Sequence, residues 1–309
     1  MRTITSMYLS PKGSIRFLCF ILCIIIFDAC TNSSESNAKI EHITNFSSKY
    51  VATRNIDVWL PPDYSSKQKY SVLYMHDGQM LFDSTATWNK QAWMLGKTMN
   101  QLIDEQKIKE CIVVAIWNIT ELRTIEYFPN KAYLTLSDSV KEGLSKERLK
   151  ETPKSDLYLK FITQELKPYI DETYSTYSDA EHTFIAGSSM GGLISMYAIC
   201  EYPEIFGGAA CLSTHWPGTY NSNIEIPTAF RDYFESHVPF AEKHKIYFDY
   251  GTETLDALYK PYQQMIDTVM LRKGYPSELW MTKEFIGHAH DERSWAKRLH
   301  IPLEFLLLK

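Results

Sequence analysis

The 309-residue chain is poor in residues that break regular structure. It has 13 glycines and 13 prolines, which excludes collagen-like and low-complexity architectures. Positive charge is also scarce: Lys and Arg total 32 against 37 Asp and Glu, a formal net charge of −5. With no basic cluster beyond Lys146–Lys150, the chain is no nucleic-acid binder. Apolar runs are short. The longest, Phe17–Phe27, has eleven residues, and at about 1.5 Å per residue it falls far short of the ~30 Å hydrocarbon core of a bilayer. Cysteine is sparse after the first thirty residues, where Cys111, Cys200 and Cys211 lie in apolar segments. They read as small buried hydrophobes rather than a disulfide framework, although one pair among them stays open. What remains is 45% hydrophobic, 14% aromatic and 22% charged residues with no break in composition, enough to bury one large α/β core.

Residues 1–16 carry Arg2, Lys12 and Arg16 and no acidic residue, and the apolar run follows directly. That order is the pattern of a secretory signal. Cys30, after Ala29, points to a lipoprotein-type signal over 1–29 with Cys30 as the acylated residue; Asp28 departs from the small residue usual there. The expected organisation is a signal, a flexible tether over 30–48, and a folded domain over 49–309. Export to the cell envelope (periplasm or outer membrane) or secretion follows, with membrane attachment through the lipid alone. Without 1–29 the chain keeps 29 basic and 36 acidic residues, a net charge of −7.

Short apolar runs then alternate with helical periodicity. Asn55–Leu60 alternates and stops at Pro61-Pro62, as an edge strand would. Ser71–Met75 and Cys111–Trp117 are continuous apolar runs, the mark of parallel strands buried on both faces. His182–Ala186, Ala209–Ser213, Ile246–Tyr250 and Leu279–Phe285 repeat the pattern. Tyr158, Phe161, Ile162, Leu166 and Tyr169 step by three or four, as do Leu258, Tyr262, Met265 and Val269, and Leu193–Glu201 ends before Pro203. This is α/β alternation, a mostly parallel sheet with helices on both faces. Asn118–Pro153 leaves a strand's C-terminal end without clear periodicity, at the place where open α/β sheets bind ligands.

Gly187-Ser188-Ser189-Met190-Gly191-Gly192 contains G-x-S-x-G centred on Ser189, set between a predicted strand and a predicted helix. A nucleophile elbow needs that setting, and its glycines allow the tight turn. Ser188 lacks the flanking glycines. A serine hydroxyl needs a base to take its proton and a carboxylate to orient the base. In this architecture the order is Ser, acid, His. His290, just after the last predicted strand, is the base, with His288 its competitor. Asp249, Glu253 and Asp256 follow or end the strand before and are the acid candidates; Asp249, inside the strand, is the least able to reach over the sheet's end. No second cluster with ligand spacing accompanies His288-Ala289-His290-Asp291, so neither metal nor organic cofactor is expected.

From residue 50 onward the chain resembles the putative-esterase (esterase D-like) branch of α/β-hydrolases. That branch includes enterochelin esterases, feruloyl and acetyl-xylan esterases, S-formylglutathione hydrolases and mycolyltransferases. The resemblance rests on Val58–Tyr64, Leu73–Gln79, the Gly187–Gly192 elbow, Tyr250–Asp256 and Ala289–Trp295. It implies the α/β-hydrolase fold, Ser189 as nucleophile and His290 as base. Where the branch often places its acid this chain has Thr254, so Asp256 is taken over Glu253. The backbone N–H groups of Met190 and Gln79 would form the oxyanion hole.

Aromatics crowd the segments expected to rim the site: Trp88, Trp117, Trp216 and Tyr127, with Trp93 and Trp295 reading as core. Such faces suit sugar rings or aromatic acyl groups. Arg123 would bind a substrate carboxylate or pair with Glu126. The N-terminal β-sandwich of enterochelin esterases is not expected, since about twenty residues separate Cys30 from the first predicted strand. The reading is an exported serine esterase acting on a small-molecule or carbohydrate ester (acetyl, feruloyl or siderophore). Its alternatives are an acyltransferase with the same triad and a non-catalytic binding lipoprotein.

Overall fold

A computed structural model of the protein describes residues 38–308 except 86, 148, 221 and 222. The expected signal and Cys30 lie outside the described residues. Among those described, eight strands form one sheet: β1 Lys39–Phe46, β2 Arg54–Leu60, β3 Ser71–His76, β4 Cys111–Ile116, β5 Thr183–Ser188, β6 Gly208–Leu212, β7 Lys245–Gly251 and β8 Trp280–Phe285. Their order is β1-β2-β4-β3-β5-β6-β7-β8. β1/β2 and β2/β4 are antiparallel and every other pair is parallel.

Alternate side chains of the central strands enter two separate apolar layers. Val72, Tyr74, Ile112 and Val114 pack into one with the helices Met190–Glu201, Glu225–His237 and Lys260–Arg272. Leu73, Met75, Cys111 and Val113 pack into the other with Leu95–Asp104, Glu292–Arg298 and His300–Leu307. This double burial is why β3 and β4 read as unbroken apolar runs. Cys111, Cys200 and Cys211 are free and buried. No helix among the described residues is long and apolar enough to cross a membrane.

Two expectations need correction. Lys39–Phe46, assigned to the tether, is a strand that pairs with β2 from Lys39↔Leu60 to Phe46↔Arg54. β2 is therefore interior and β1 holds the edge. The register shifts between Ile43 and Phe46, so the apolar residues of this half-exposed strand fall out of phase and the period-2 signal disappears. The stretch 118–153 holds the helices Arg123–Tyr127, Asn130–Leu134 and Asp138–Glu147. The first two have five residues each, less than two turns, too short to show a 3.6-residue repeat.

Candidate active site

The C-terminal ends of β3, β5, β6 and β7 converge on Ser189. β5 ends at Ser188, the helix Met190–Glu201 opens one residue after Ser189, and Ser189 itself adopts φ 59°, ψ −119°. A non-glycine residue at positive φ is strained, and only a rigid surround keeps it there. The surround is present. The Ser189 N–H donates to the Leu212 carbonyl (2.9 Å), and the Ser189 carbonyl accepts from the amides of Gly192 (3.0 Å) and His215 (3.2 Å). A Cβ at Gly187 would lie 2.9 Å from the Gly191 backbone, so no larger residue fits that position.

His290 Nε2 is 2.9 Å from Ser189 Oγ, and His290 Nδ1 is 2.5 Å from Asp256 Oδ1. Asp256 sits in the 3₁₀ turn Thr254–Leu258 and is 0% exposed. Its second oxygen accepts from Ser213 Oγ (2.5 Å) and the Gly251 amide (2.6 Å). Burial pushes this carboxyl up, but the hydrogen bond and charge of His290, with the Ser213 and Gly251 donors, hold it below its ordinary range. A hydroxyl from the loop after β6 and the amide ending β7 supply that support.

The other candidates lie elsewhere. Asp249, fully buried within β7, faces Arg298 (3.0 and 3.2 Å), while Glu253 is exposed. His288 Nδ1 accepts from Arg298 Nη1 (3.3 Å) rather than facing the serine. The acid and base loops are laced together. Thr254 Oγ1 accepts from the His290 amide (2.8 Å), Thr252 Oγ1 from the Gly287 amide (2.8 Å), and the His288 carbonyl from the amides of Thr252 (3.1 Å) and Glu253 (3.0 Å). A Cβ at Gly251 would lie 2.1 Å from that carbonyl, which requires glycine there.

On the opposite side, Gln79 lies in the turn Gly78–Met80 and Met190 is the first residue of its helix, whose N–H has no intrahelical acceptor. Both line the same cavity as Ser189. Asp77, at φ 60°, is gripped by Arg123 Nε (2.8 Å), Arg123 Nη2 (2.7 Å) and Asn118 Nδ2 (2.6 Å). Burial acts against its ionisation, but the Arg123 charge and hydrogen bonds prevail and keep it below the usual carboxylate range. Arg123 is therefore committed to Asp77, and not to Glu126, whose carboxylate takes Arg54 at 2.6 and 2.9 Å.

The cavity around Ser189, about 810 Å³, adjoins a second of about 710 Å³; both are lined by Gln79, Met80, Trp88 and Thr120. Trp88, 85% exposed, stands on the shared rim. Trp117 lines the second cavity, its Nε1 donating to Asp57 Oδ2 (2.8 Å). Trp216 is no rim residue. It is 1% exposed, donates to Gln263 Oε1 (2.9 Å) and packs on Phe248. Tyr127 is likewise buried, between His76 and Tyr158. An apolar strand end followed by polar residues is equally consistent with a rim or a core position, which is why sequence placed both wrongly. Trp93 and Trp295 stack at 5.3 Å in the core while edging the cavity.

Sequence reasoning missed His215, Tyr220 and Tyr259. His215 and Tyr220 line the cavity; Tyr259 O–H is 2.8 Å from His215 Nδ1, and its ring lies edge-on to His290. The only signal for His215 is its place just past β6. Among the described residues no group of three or more His, Cys, Asp or Glu side chains could hold a metal ion.

The chain is similar to several known proteins. The family described as Putative esterase matches residues 47–301. An uncharacterized Bacillus subtilis protein, YbbA, is 27% identical over 180 residues, 57% of this chain and 63% of its own length. An endo-1,4-beta-xylanase/feruloyl esterase of Xylanibacter ruminicola is 27% identical over 205 residues, 64% of this chain but 24% of that protein. The chain thus spans less than two thirds of either. Among solved structures, a ferulic acid esterase superposes with TM-score 0.62 at 19% identity, covering 87% of this chain and 97% of that one. The enterobactin esterase FES from Shigella flexneri gives TM-score 0.64 at 19% identity, over 90% and 60%. These likenesses establish the α/β-hydrolase type of fold, and the match over 47–301 the family: the chain belongs to the putative esterase family.

Proposed function

We propose that this protein is a serine carboxylic-ester hydrolase working through an acyl-enzyme. The observation that carries the reading is the unbroken hydrogen-bonded line Ser189–His290–Asp256 on a strained elbow. Ser189 Oγ attacks the ester carbonyl as His290 takes its proton. Asp256 fixes the imidazole's orientation and stabilises the imidazolium. The carbonyl oxygen, becoming an oxyanion, sits between the N–H groups of Met190 and Gln79. His290 then returns the proton to the departing alcohol, and water repeats the sequence to release the acid.

A carbohydrate-linked acyl ester fits the surroundings best. The second cavity extends the first past Gln79, and Trp88 and Trp117 offer aromatic faces to sugar rings. Asp57 and Asp83 beside them disfavour an anionic ligand. The feruloyl esterase relatives support the same class. Hydrolysis of methyl ferulate, acetylated xylo-oligosaccharide and a catecholate trilactone, each against a Ser189→Ala blank, tests the reading. Turnover of the first two is expected; exclusive turnover of the trilactone would move the substrate to siderophores, and no turnover of any would remove the hydrolase.

The location proposed is the cell envelope, through acylation at Cys30. Cys30→Ser should move the protein from the membrane to the soluble fraction, and an unchanged distribution would contradict anchoring at that residue.

A further inference from the structure

Behind Asp256, on the side away from the cavity, lies a sealed ionic cluster that the steps above do not use. Arg298, on the helix Glu292–Arg298, has a side chain 1% exposed, and Asp249 on β7 is 0% exposed. The guanidinium donates to Asp249 Oδ1 (3.0 Å) and Oδ2 (3.2 Å) and to Ser213 Oγ (2.7 Å), and stands 3.6 Å from Asp256 Oδ2. Trp295 Nε1 also donates to Ser213 Oγ (2.9 Å). With two donors pointing into it, the Ser213 hydroxyl has one direction left for its own proton, toward Asp256 Oδ2 at 2.5 Å. The Ser213 amide reaches back to Asp249 Oδ1 (3.0 Å). Burying an ion pair completely is weak support for stability, because desolvation offsets most of the attraction. A stability role alone leaves the placement beside Asp256 unexplained.

We propose that Arg298 is a positioning residue of this site: it aims the Ser213 hydroxyl at Asp256 and, balanced by Asp249, sets the net charge behind His290. Two carboxylates and one guanidinium leave that region at −1, and the imidazolium formed during reaction brings it to zero. Without Asp249 the same region would be neutral at rest and +1 with the imidazolium, which opposes proton transfer to His290. The other groups facing His290 stay constant in this comparison. They are Tyr259 and Trp295 on the ring, Asp291 and Glu292 on its own segment, His215 beyond Tyr259, and Asp77 with Arg123 across the cavity. His288 shares the Arg298 guanidinium.

The inference rests on the triad reading, and the pH profile of kcat/KM on p-nitrophenyl acetate tests it. Asp249→Asn leaves the guanidinium unbalanced, so the acid limb should move to lower pH by about one unit. Adding Arg298→Met removes the excess charge and should return the limb most of the way, although kcat stays low because Ser213 has lost its guide. Ser213→Ala should lower kcat about tenfold with KM nearly unchanged, while the melting temperature falls because Trp295 Nε1 and Arg298 Nη2 lose their acceptor. A profile that falls uniformly in both Asp249→Asn and the double variant, with no movement of its limb, would overturn the charge-setting role. Undiminished kcat in Ser213→Ala would overturn the positioning role. Residual activity in Ser189→Ala would instead defeat the triad reading itself, so the two failures are distinguishable.

Discussion

Two Asp–Arg pairs bracket Ser189, and their surroundings differ. Asp77–Arg123 stands at the mouth of the cavity with side chains 11% and 25% exposed. Asp249–Arg298 is sealed at 0% and 1%. The first pair pins a turn in a left-handed conformation whose next residues include Gln79, one expected oxyanion donor. The second reaches the acid side through Ser213. In the proposed mechanism the same ionic chemistry would serve two tasks: backbone geometry where charge develops in the substrate, and side-chain orientation where charge develops on the histidine. Water reaches the first pair and not the second, so a loss on the cavity side can be partly filled by solvent while one on the sealed side cannot.

That contrast breaks most sharply at the sealed side. Asp256→Asn should lower kcat at least a hundredfold and up to about 10⁴-fold, since the amide favours the wrong imidazole tautomer. The exposed Glu253, three residues earlier, should tolerate Glu253→Gln with less than a tenfold change. Steady-state kinetics on p-nitrophenyl acetate reads both, and a reversed ranking would transfer the acid to Glu253.

At the cavity side, Arg123→Met should cost about tenfold in kcat. Loosening the turn weakens one oxyanion donor without deleting it, and full deletion costs on the order of 10²–10³. A larger loss than that of Asp256→Asn would invert the comparison.

How much of this was legible in sequence follows the same division. The central strands β3 to β7 and the elbow stood out because continuous burial writes unbroken apolar runs and because a strained serine needs small neighbours. Asp256 stood among the acid candidates but its partners did not, since Ser213 lies 43 residues before it in sequence and Arg298 lies 85 residues after Ser213. Arg123 was placed at the site, yet its true partner is Asp77 rather than the near neighbour Glu126, which a distant Arg54 had taken. Trp216 and β1 failed for opposite reasons: one is a core tryptophan just past a strand end, the other a half-exposed strand whose bulge destroys the alternation. Local patterns carry burial; they do not carry pairing.

Stability, too, separates the two sides in acid. His76, beside Asp77, is fully buried, and burial lowers its pKa from 6.5 to about 3. The folded state therefore binds this proton less readily than the unfolded chain. Its contribution to stability is complete above pH 6.5 and is lost as the pH falls from 6.5 toward 3. The full shift corresponds to about 4–5 kcal/mol. His76→Asn should flatten denaturant-measured stability between about pH 6.5 and 5.5, where ordinary carboxylates have scarcely begun to titrate. An unchanged slope would contradict this source. Smallest of all, Trp216→Phe should leave kcat/KM within about threefold while lowering stability by roughly 1–3 kcal/mol through the lost Gln263 hydrogen bond and packing. A large selective rise in KM would return Trp216 to the substrate.

The central claim is that Ser189, activated by His290, is the nucleophile. Reaction with a fluorophosphonate ester, read by intact mass and peptide mapping, tests it most directly. The account predicts one adduct per chain, located on Ser189, absent in Ser189→Ala and strongly slowed in His290→Ala. No adduct, or an adduct that persists on another residue when Ser189 is replaced, would contradict it.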